Sequence, residues 1–367
     1  MSADPQEVMH LLDGVCRSRC AFALMRRPNE DDFTLVAQHA PDAEVLPGVA
    51  ALAGRSGFAA VPFAASADCP PVLIHADVTA NGWDEMADAL AAFAAREPAP
   101  QAQPDAAFRS AGKADYMAAF GKAMDALQSR SLHKVVLSRA EVEHVPGISP
   151  AETFWRACDA YPQMMVCLFH SPQTGTWLAA TPELLLSGGA GGWRTVALAG
   201  TMPVQEGRFL ADWDAKNRGE QSHVVEFMRD TLSQFSDDVQ EDGPRVSPAG
   251  HLAHLRTDFR FTLPAGADPA ELLAALHPTP AVCGRPTDAA RALIARMEPA
   301  PRRYYSGFFG MLDAAAHSEL YVNLRCMEMF ADSVVLHAGG GLVRESSAES
   351  EWQETQDKMN TLRRLIS

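Results

Sequence analysis

The chain has 367 residues, 47% hydrophobic and 8% aromatic, with 46 Asp plus Glu against 31 Lys plus Arg for a formal net charge of -15. This is globular composition with length for one large or two medium cores; it excludes disordered, collagen-like and small disulfide-scaffold classes, and its sign argues against a nucleic-acid groove. An anionic small substrate would be repelled by the field of the whole chain, so a site for one requires a local cationic pocket or a metal ion.

The opening MSADPQEVMHLLDGVCRSRC places acidic residues ahead of any apolar run and lacks the succession of a signal peptide. No stretch approaches the length of apolar residues that spans a bilayer, so a cytoplasmic protein without membrane or nucleic-acid partners is expected. The seven cysteines, Cys16, Cys20, Cys69, Cys158, Cys167, Cys283 and Cys326, are odd in number and scattered, as in reduced cytoplasmic proteins. Cys16 and Cys20 lack the second pair that zinc would need.

FTLVAQHA and PPVLIHADV read as strands and the Ala-rich stretch from Glu85 to Arg96 as a helix. The segment from Glu97 to Ser110 carries three prolines and reads as a connector, dividing a separable first part, residues 1–104, from residues 105–367. A helix is predicted from Tyr116 to Ser129, then the strand HKVVLSRAEVEHV, then apolar runs MMVCLFH, TWLAAT, ELLLSG, YYSGFFGML, ELYVNLRCM and SVVLHAGGGLV. Most of these strands follow one another without intervening helices, which predicts an α+β fold with large antiparallel sheets. No internal repeat and none of the common phosphate, zinc-protease or serine-hydrolase motifs is present.

Two helices place carboxylates beside apolar faces. The stretch from Ser346 to Ser367 opens on a capping-box pattern, with Trp352, Met359, Leu362 and Ile366 in one stripe and Glu351, Glu354 and Lys358 beside it. A surface Glu354–Lys358 pair accounts for part of this pattern. In AKNRGEQSHVVEFMRDTL, Glu220 shares a face with Val224, Phe227, Met228 and Leu232, whereas Glu226 points away. A buried carboxylate requires a cation, so Glu220 either bridges to Arg or Lys or joins the other glutamates in an oxygen-rich Mg²⁺ site.

The ordered motifs LHKVVLSRA, ATPELLLSG, ALAGTMP, KNRGEQ, HLRTDF, LHPTPAVCGRPTDAA, YYSGFFGMLDA, LYVNLRCM, LHAGGGLV and SAESEWQETQDKM resemble the chorismate-binding enzymes, above all their isochorismate synthases. The resemblance covers about residues 112 to 367, with residues 1–104 as a weakly matched N-terminal portion of the fold. It implies antiparallel sheets packed together and flanked by helices, and a Mg²⁺-dependent isomerase that adds water at C2 of chorismate and expels the C4 hydroxyl. Lys134 matches the family's general base and Glu183 its general acid. Burial of Lys134 among Val135, Val136 and Leu137, with Arg139 nearby, is expected to depress its pKa, and burial of Glu183 to raise its own. The resemblance further implies Glu220 and Glu354 as metal ligands, with Glu351 direct or through water. Arg325, Lys358 and Tyr305 would bind substrate carboxylates, Gly200 and Thr201 would pack on the ring, and His254 and His277 lie in family motifs. The AGGGLV segment, Gly339, Gly340 and Gly341, is expected to form a turn whose N–H groups face an anion.

Within the family, Lys134 and Ala199 favour water over ammonia, so no glutaminase partner is expected and the enzyme is taken as a monomer. Salicylate synthase, which goes on to eliminate pyruvate, is the alternative; small Ala281 favours the synthase. Anthranilate- or aminodeoxychorismate-forming components and an inactive chorismate-binding homologue are further alternatives. Many relatives carry His where this chain has Gln221 after Glu220.

Overall fold

In the computed structural model of the chain, residues 4–94, 96–98, 103–104, 108, 112–204, 213–313 and 316–366 are described, so most of the proline-rich connector lies outside the described residues. The described strands form two sheets whose neighbours all pair antiparallel. The first runs β14 (Gly284–Arg285), β7 (Lys134–His144), β18 (Ser333–Leu342), β17 (Cys326–Met329), β9 (Gly175–Thr181), β8 (Met165–Ser171), β1 (Phe22–Arg26), β2 (Phe33–Ala37) and β6 (Val78–Asn81). The second runs β12 (Gln240–Ala249), β13 (Leu252–Phe261), β11 (Gly192–Pro203), β10 (Leu184–Gly189), β16 (His317–Val322), β15 (Phe308–Asp313), β4 (Ser56–Val61), β5 (Val72–Ile74) and β3 (Glu44–Val45). This is the α+β architecture expected from the succession of apolar runs.

Strands such as β8 and β18 are buried along their whole length, because one face meets the opposite sheet and the other is covered by helices. That double burial explains why they read as continuous apolar runs instead of alternating ones. Between the sheets, Phe58 and Phe309 of the second pack against Phe169 of the first at ring separations of 5.7 and 5.9 Å. Outside the first sheet lie α1 (Pro5–Cys16), α2 (Gly82–Ala94), α4 (Pro150–Ala160) and α8 (Ala348–Arg363), burying Leu12, Leu90, Phe154 and Met359. Outside the second lie α5 (Ala215–Leu232) and α6 (Pro269–Leu276), and α3 (Lys113–Gln128) with α7 (Thr287–Met297) packs beside β7. No described helix is long and apolar enough to cross a membrane.

Residues before the connector are woven into both sheets, which corrects the expectation of a separable first part. β1 pairs with β8, setting Phe22 opposite His170, and β4 pairs with β15, setting Val61 opposite Phe308. The described connector residues are also tied down: Glu97 accepts a backbone hydrogen bond from Arg19, and Phe108 is buried edge-on to His337 at 5.6 Å. The N-terminal strands supply edges that neither sheet could otherwise complete.

The α5 prediction holds at Glu220, Val224, Met228 and Leu232, which are buried, and at Glu226, which is exposed, while Phe227 is only partly buried. The cap of α8 falls one residue later than the predicted box: Ser347 accepts from Ser350 N, and Ser346 instead donates to Glu351 Oε1 at 2.8 Å. Gly307 marks where β15 meets β4, since a Cβ there would stand 2.0 Å from Val61 O. Gly307→Ala is expected to destabilise the whole chain by about 3 kcal/mol, the upper range for overpacking, in a single urea transition. An unchanged midpoint would show that the N-terminal strands do not hold the fold together.

Candidate active site

The site is built where β7 begins, β18 ends, and α5 and α8 approach the two sheets. Lys134, the first residue of β7, pairs in register with Arg285 of β14 and is fully buried. Its Nζ lies 3.2 Å from Glu220 Oε1, in an ion pair not aligned as a hydrogen bond. Burial lowers the Lys134 pKa below that of an ordinary lysine, and Glu220 acts against that shift. Arg139, expected beside it, turns instead to Thr355 and Glu141 and stacks over Trp352, because β7 alternates its side chains between faces.

Gly339, Gly340 and Gly341 are not a turn; they belong to β18, opposite Ser138, Leu137 and Val136 of β7. Glycine is required by what lies against the strand. A Cβ at Gly341 would stand 2.0 Å from Glu220 Oε1 and 2.9 Å from Lys134 Cε, and one at Gly340 would stand 2.7 Å from Glu351 Oε2. The strand surface is bare so that carboxylates can rest on it.

Three carboxylates converge here, Glu220 from α5 and Glu351 and Glu354 from α8. Lys216, one turn before Glu220, places its Nζ 3.1 Å from Glu351 Oε1, 3.6 Å from Glu220 Oε2 and 3.7 Å from Glu354 Oε2. Lys358 donates to Glu354 Oε1 at 2.7 Å and to Gly339 O at 2.8 Å. The Glu354–Lys358 pair thus exists, but in the interior. Burial and the neighbouring Glu354 push the Glu351 carboxyl up, whereas for Glu354 the upward push of burial is outweighed by Lys358 and Lys216, which keep it ionised. Among the described residues no group of three His, Cys, Asp or Glu side chains stands ready around a metal position, and the ammonium of Lys216 lies among these carboxylates. The donor set nevertheless fits Mg²⁺: it is all oxygen, comes from two rigid helices, and leaves buried Glu220 Oε2 and Glu351 Oε2 without hydrogen-bond partners. Gln221 faces elsewhere, donating to Ala197 O and Thr257 Oγ1, so it fastens α5 to the second sheet.

In front of this cluster opens a cavity walled by Glu183, Glu220, Arg325 and Lys358. Lys134, Gly340, Glu351 and Glu354 stand behind that wall. Glu183, just before β10, is buried, and its carboxyl makes no hydrogen bond among the described residues. Burial raises its pKa to about 8, against the opposing pull of Lys134, Lys358 and Arg325. The group therefore holds its proton at neutral pH. Arg325 occupies a left-handed backbone position, φ 46°, secured by Ala180 N donating to its carbonyl. His254 Nε2 accepts from Arg325 Nη2 at 2.7 Å, which requires its Nδ1–H to donate to Gly200 O at 2.9 Å. Burial, then Arg325, lower the His254 pKa to about 3, so this imidazole stays neutral and orients the guanidinium.

Gly200 makes a bulge in β11 with φ 71°, where a Cβ would meet Asn217 O at 3.1 Å; Thr201 N is held by Asn217 Oδ1. Both line the cavity, as do Ala281, Tyr305, Gly339 and Gly341. His277 does not: it donates to Pro62 O and packs on Phe308 at 5.0 Å.

Three features escaped the sequence reading. Lys216 was signalled only by its i,i+4 spacing to Glu220. His337 lines the cavity, stacked between Trp177 and Tyr305 with Nε2 unpartnered, and nothing in LHAGGG distinguished it from a core residue. The buried Arg302–Glu298 pair clamps β7, with Arg302 donating to Val136 O and Val282 O and Glu298 accepting from Ser138 N. Its i,i+4 spacing spans a loop and gave no helical signal.

Two antiparallel sheets enclosing a cavity with a buried lysine, a protonated glutamate and an acidic cluster define a class of catalytic fold. Residues 71–367 match the family model described as chorismate binding enzyme, and the chain belongs to that family. It is 32% identical over 281 residues to the salicylate biosynthesis isochorismate synthase of Pseudomonas aeruginosa, covering 74% of this chain and 58% of that one. It is 37% identical over 205 residues to an isochorismate synthase of Bacillus subtilis, covering 52% and 50%. The chain thus spans about half the length of these curated relatives. The solved menaquinone-specific isochorismate synthase of Escherichia coli shares the fold, with a TM-score of 0.76 at 24% identity over 97% of this chain and 91% of that one.

Gly341→Ala is expected to force Glu220 away from Lys134 and cost about 3 kcal/mol, the range for breaking a buried ion pair, measured by urea denaturation. A cost below about 0.5 kcal/mol, as for ordinary surface changes, would mean the carboxylate and lysine relocate freely.

Proposed function

We propose that the chain is an isochorismate synthase that converts chorismate to isochorismate with Mg²⁺. The observation that carries the reading is Glu183, a buried carboxyl kept protonated to about pH 8 in a cavity that also offers Arg325 and Lys358. A proton donor beside cationic groups suits a dicarboxylate whose hydroxyl must leave. The names of the relatives support the same reaction.

In the proposed reaction, water attacks C2 of the ring as Lys134, whose pKa burial lowers, takes in its neutral form a proton from that water. The ring double bond migrates, the C4–O bond breaks, and the departing oxygen takes the Glu183 proton and leaves as water. Lys134 ends protonated and Glu183 ionised; exchange with solvent resets both, so one water enters, one leaves and the net change is isomerisation. Arg325, oriented by His254, grips a carboxylate through its fork, and Lys358 adds a point charge. Glu220 and Glu354 would hold Mg²⁺, with Glu351 direct or through water; when bound, the ion supplies divalent charge for a substrate carboxylate. No ammonia source or glutaminase subunit is required.

Lys134→Ala and Glu183→Gln are each expected to lower kcat by about 10²–10⁴-fold, Glu183→Gln with a urea midpoint close to wild type and Lys134→Ala with a lowered one, because it takes a buried partner from Glu220. Wild-type turnover in either variant overturns the role assigned to it. Chromatography with mass detection after incubation with chorismate and Mg²⁺ should give isochorismate without pyruvate. Stoichiometric salicylate and pyruvate would instead make the protein a salicylate synthase. Because the Glu183 proton is needed and is lost as pH rises through its raised pKa, kcat/KM should fall on the alkaline side with an apparent pKa near 8. A rate still rising through that range would remove Glu183 as the acid.

A further inference from the structure

We infer that Lys216 is a tethered counter-cation that fills the acidic cluster in the metal-free protein and must withdraw for Mg²⁺ to bind. The inference rests on reading that cluster as the magnesium site. Its first support is position: the Lys216 Nζ lies between 3.1 and 3.7 Å from an oxygen of each of Glu351, Glu220 and Glu354. Mg²⁺ draws its oxygens to about 2.0–2.1 Å and keeps several waters, so ion and ammonium compete for one space. The second support is charge. Apart from Lys134, which the proposed reaction uses in its neutral form, Glu220, Glu351 and Glu354 face Lys216 and Lys358, three against two. A divalent ion entering beside both ammoniums would leave one positive charge uncompensated inside the protein, and withdrawal of Lys216 removes it.

The helix gives the lysine a way out. Lys216 lies in the first turn of α5 with a side chain 16% exposed, whereas those of Glu220 and Glu351 are 7% and 2% exposed. Its four-carbon stem can carry the ammonium to solvent while the carboxylates stay fixed on their helices. Two of its three ion pairs are longer than a hydrogen bond, so the ammonium is held by the summed field more than by any one partner. Such a cation holds mutually repelling carboxylates together and still yields to a divalent ion. Lys134 and Lys358 are less suited to this exchange: one is fully buried, and the other is also bonded to Gly339 O.

The test is a Mg²⁺ titration by calorimetry, without chorismate, of wild type and Lys216→Met, which keeps the stem and removes the charge. The exchange predicts that the variant melts lower than wild type without Mg²⁺, gains more from added Mg²⁺, and binds it at least about tenfold more tightly. Equal or weaker Mg²⁺ binding by the variant overturns it, making Lys216 a permanent structural partner. Lys216→Gln gives a second neutral variant. Should neither fold alone, folding restored by Mg²⁺ supports the exchange and folding not restored overturns it. If neither wild type nor variant binds Mg²⁺ with chorismate present, the magnesium reading of the cluster fails too, and failure of the exchange alone leaves wild-type binding intact.

Discussion

Everything around the cavity depends on burying Lys134, Lys216 and Lys358 together with Glu220, Glu351 and Glu354 between two helices and one strand. Unpaired, any of these groups would be costly inside the protein, so each can exist only with the others in place. The requirement reaches into the backbone. β18 must be bare at Gly340 and Gly341 for the carboxylates to rest on it, and β14 must close over Lys134 to complete its burial. Helices α5 and α8 come from distant parts of the chain, and their angle to the sheets is constrained by having to deliver glutamates to one point.

The same arrangement answers the electrostatic difficulty posed by a chain of net charge -15. Arg325 and Lys358 stand at the wall, Glu183 is neutral there, and His254 is locked in the tautomer that turns Arg325 outward. Local groups thus reverse a global field that would repel a dicarboxylate. Burial acts on Lys134 and Glu183 alike, because low polarity favours the neutral form of a lysine and of a carboxyl. One physical cause, loss of water, moves both groups toward their neutral forms.

The sheets provide the rigidity this requires. A run of rings from Phe169 through Trp177 and His337 to Tyr305 leads from the inter-sheet core to the cavity, so the wall is continuous with that core. Arg302 and Glu298 add polar clamps on β7 at Val136 and Ser138, within four residues of Lys134. These contacts brace β7 close to Lys134.

Much of this was legible in the sequence. The apolar runs located the strands, the 100° periodicity of AKNRGEQSHVVEFMRDTL marked Glu220 as inward-facing and Glu226 as outward-facing, and the family resemblance brought Lys134, Glu183, Arg325 and Lys358 to one site. The misread features were those decided by distance in space. The glycines of AGGGLV looked like a turn because sequence shows their flexibility but not the carboxylates pressed against them. Residues 1–104 looked separable because strand pairing across 100 residues or more leaves no local trace. Lys216 was hidden because a lysine four residues before a glutamate reads as an ordinary helical pair, until a second helix brings two more carboxylates to it. Periodicity and residue chemistry fixed which groups had to be buried; only the tertiary structure decided which buried charges meet, because that pairing is made between elements and not along them.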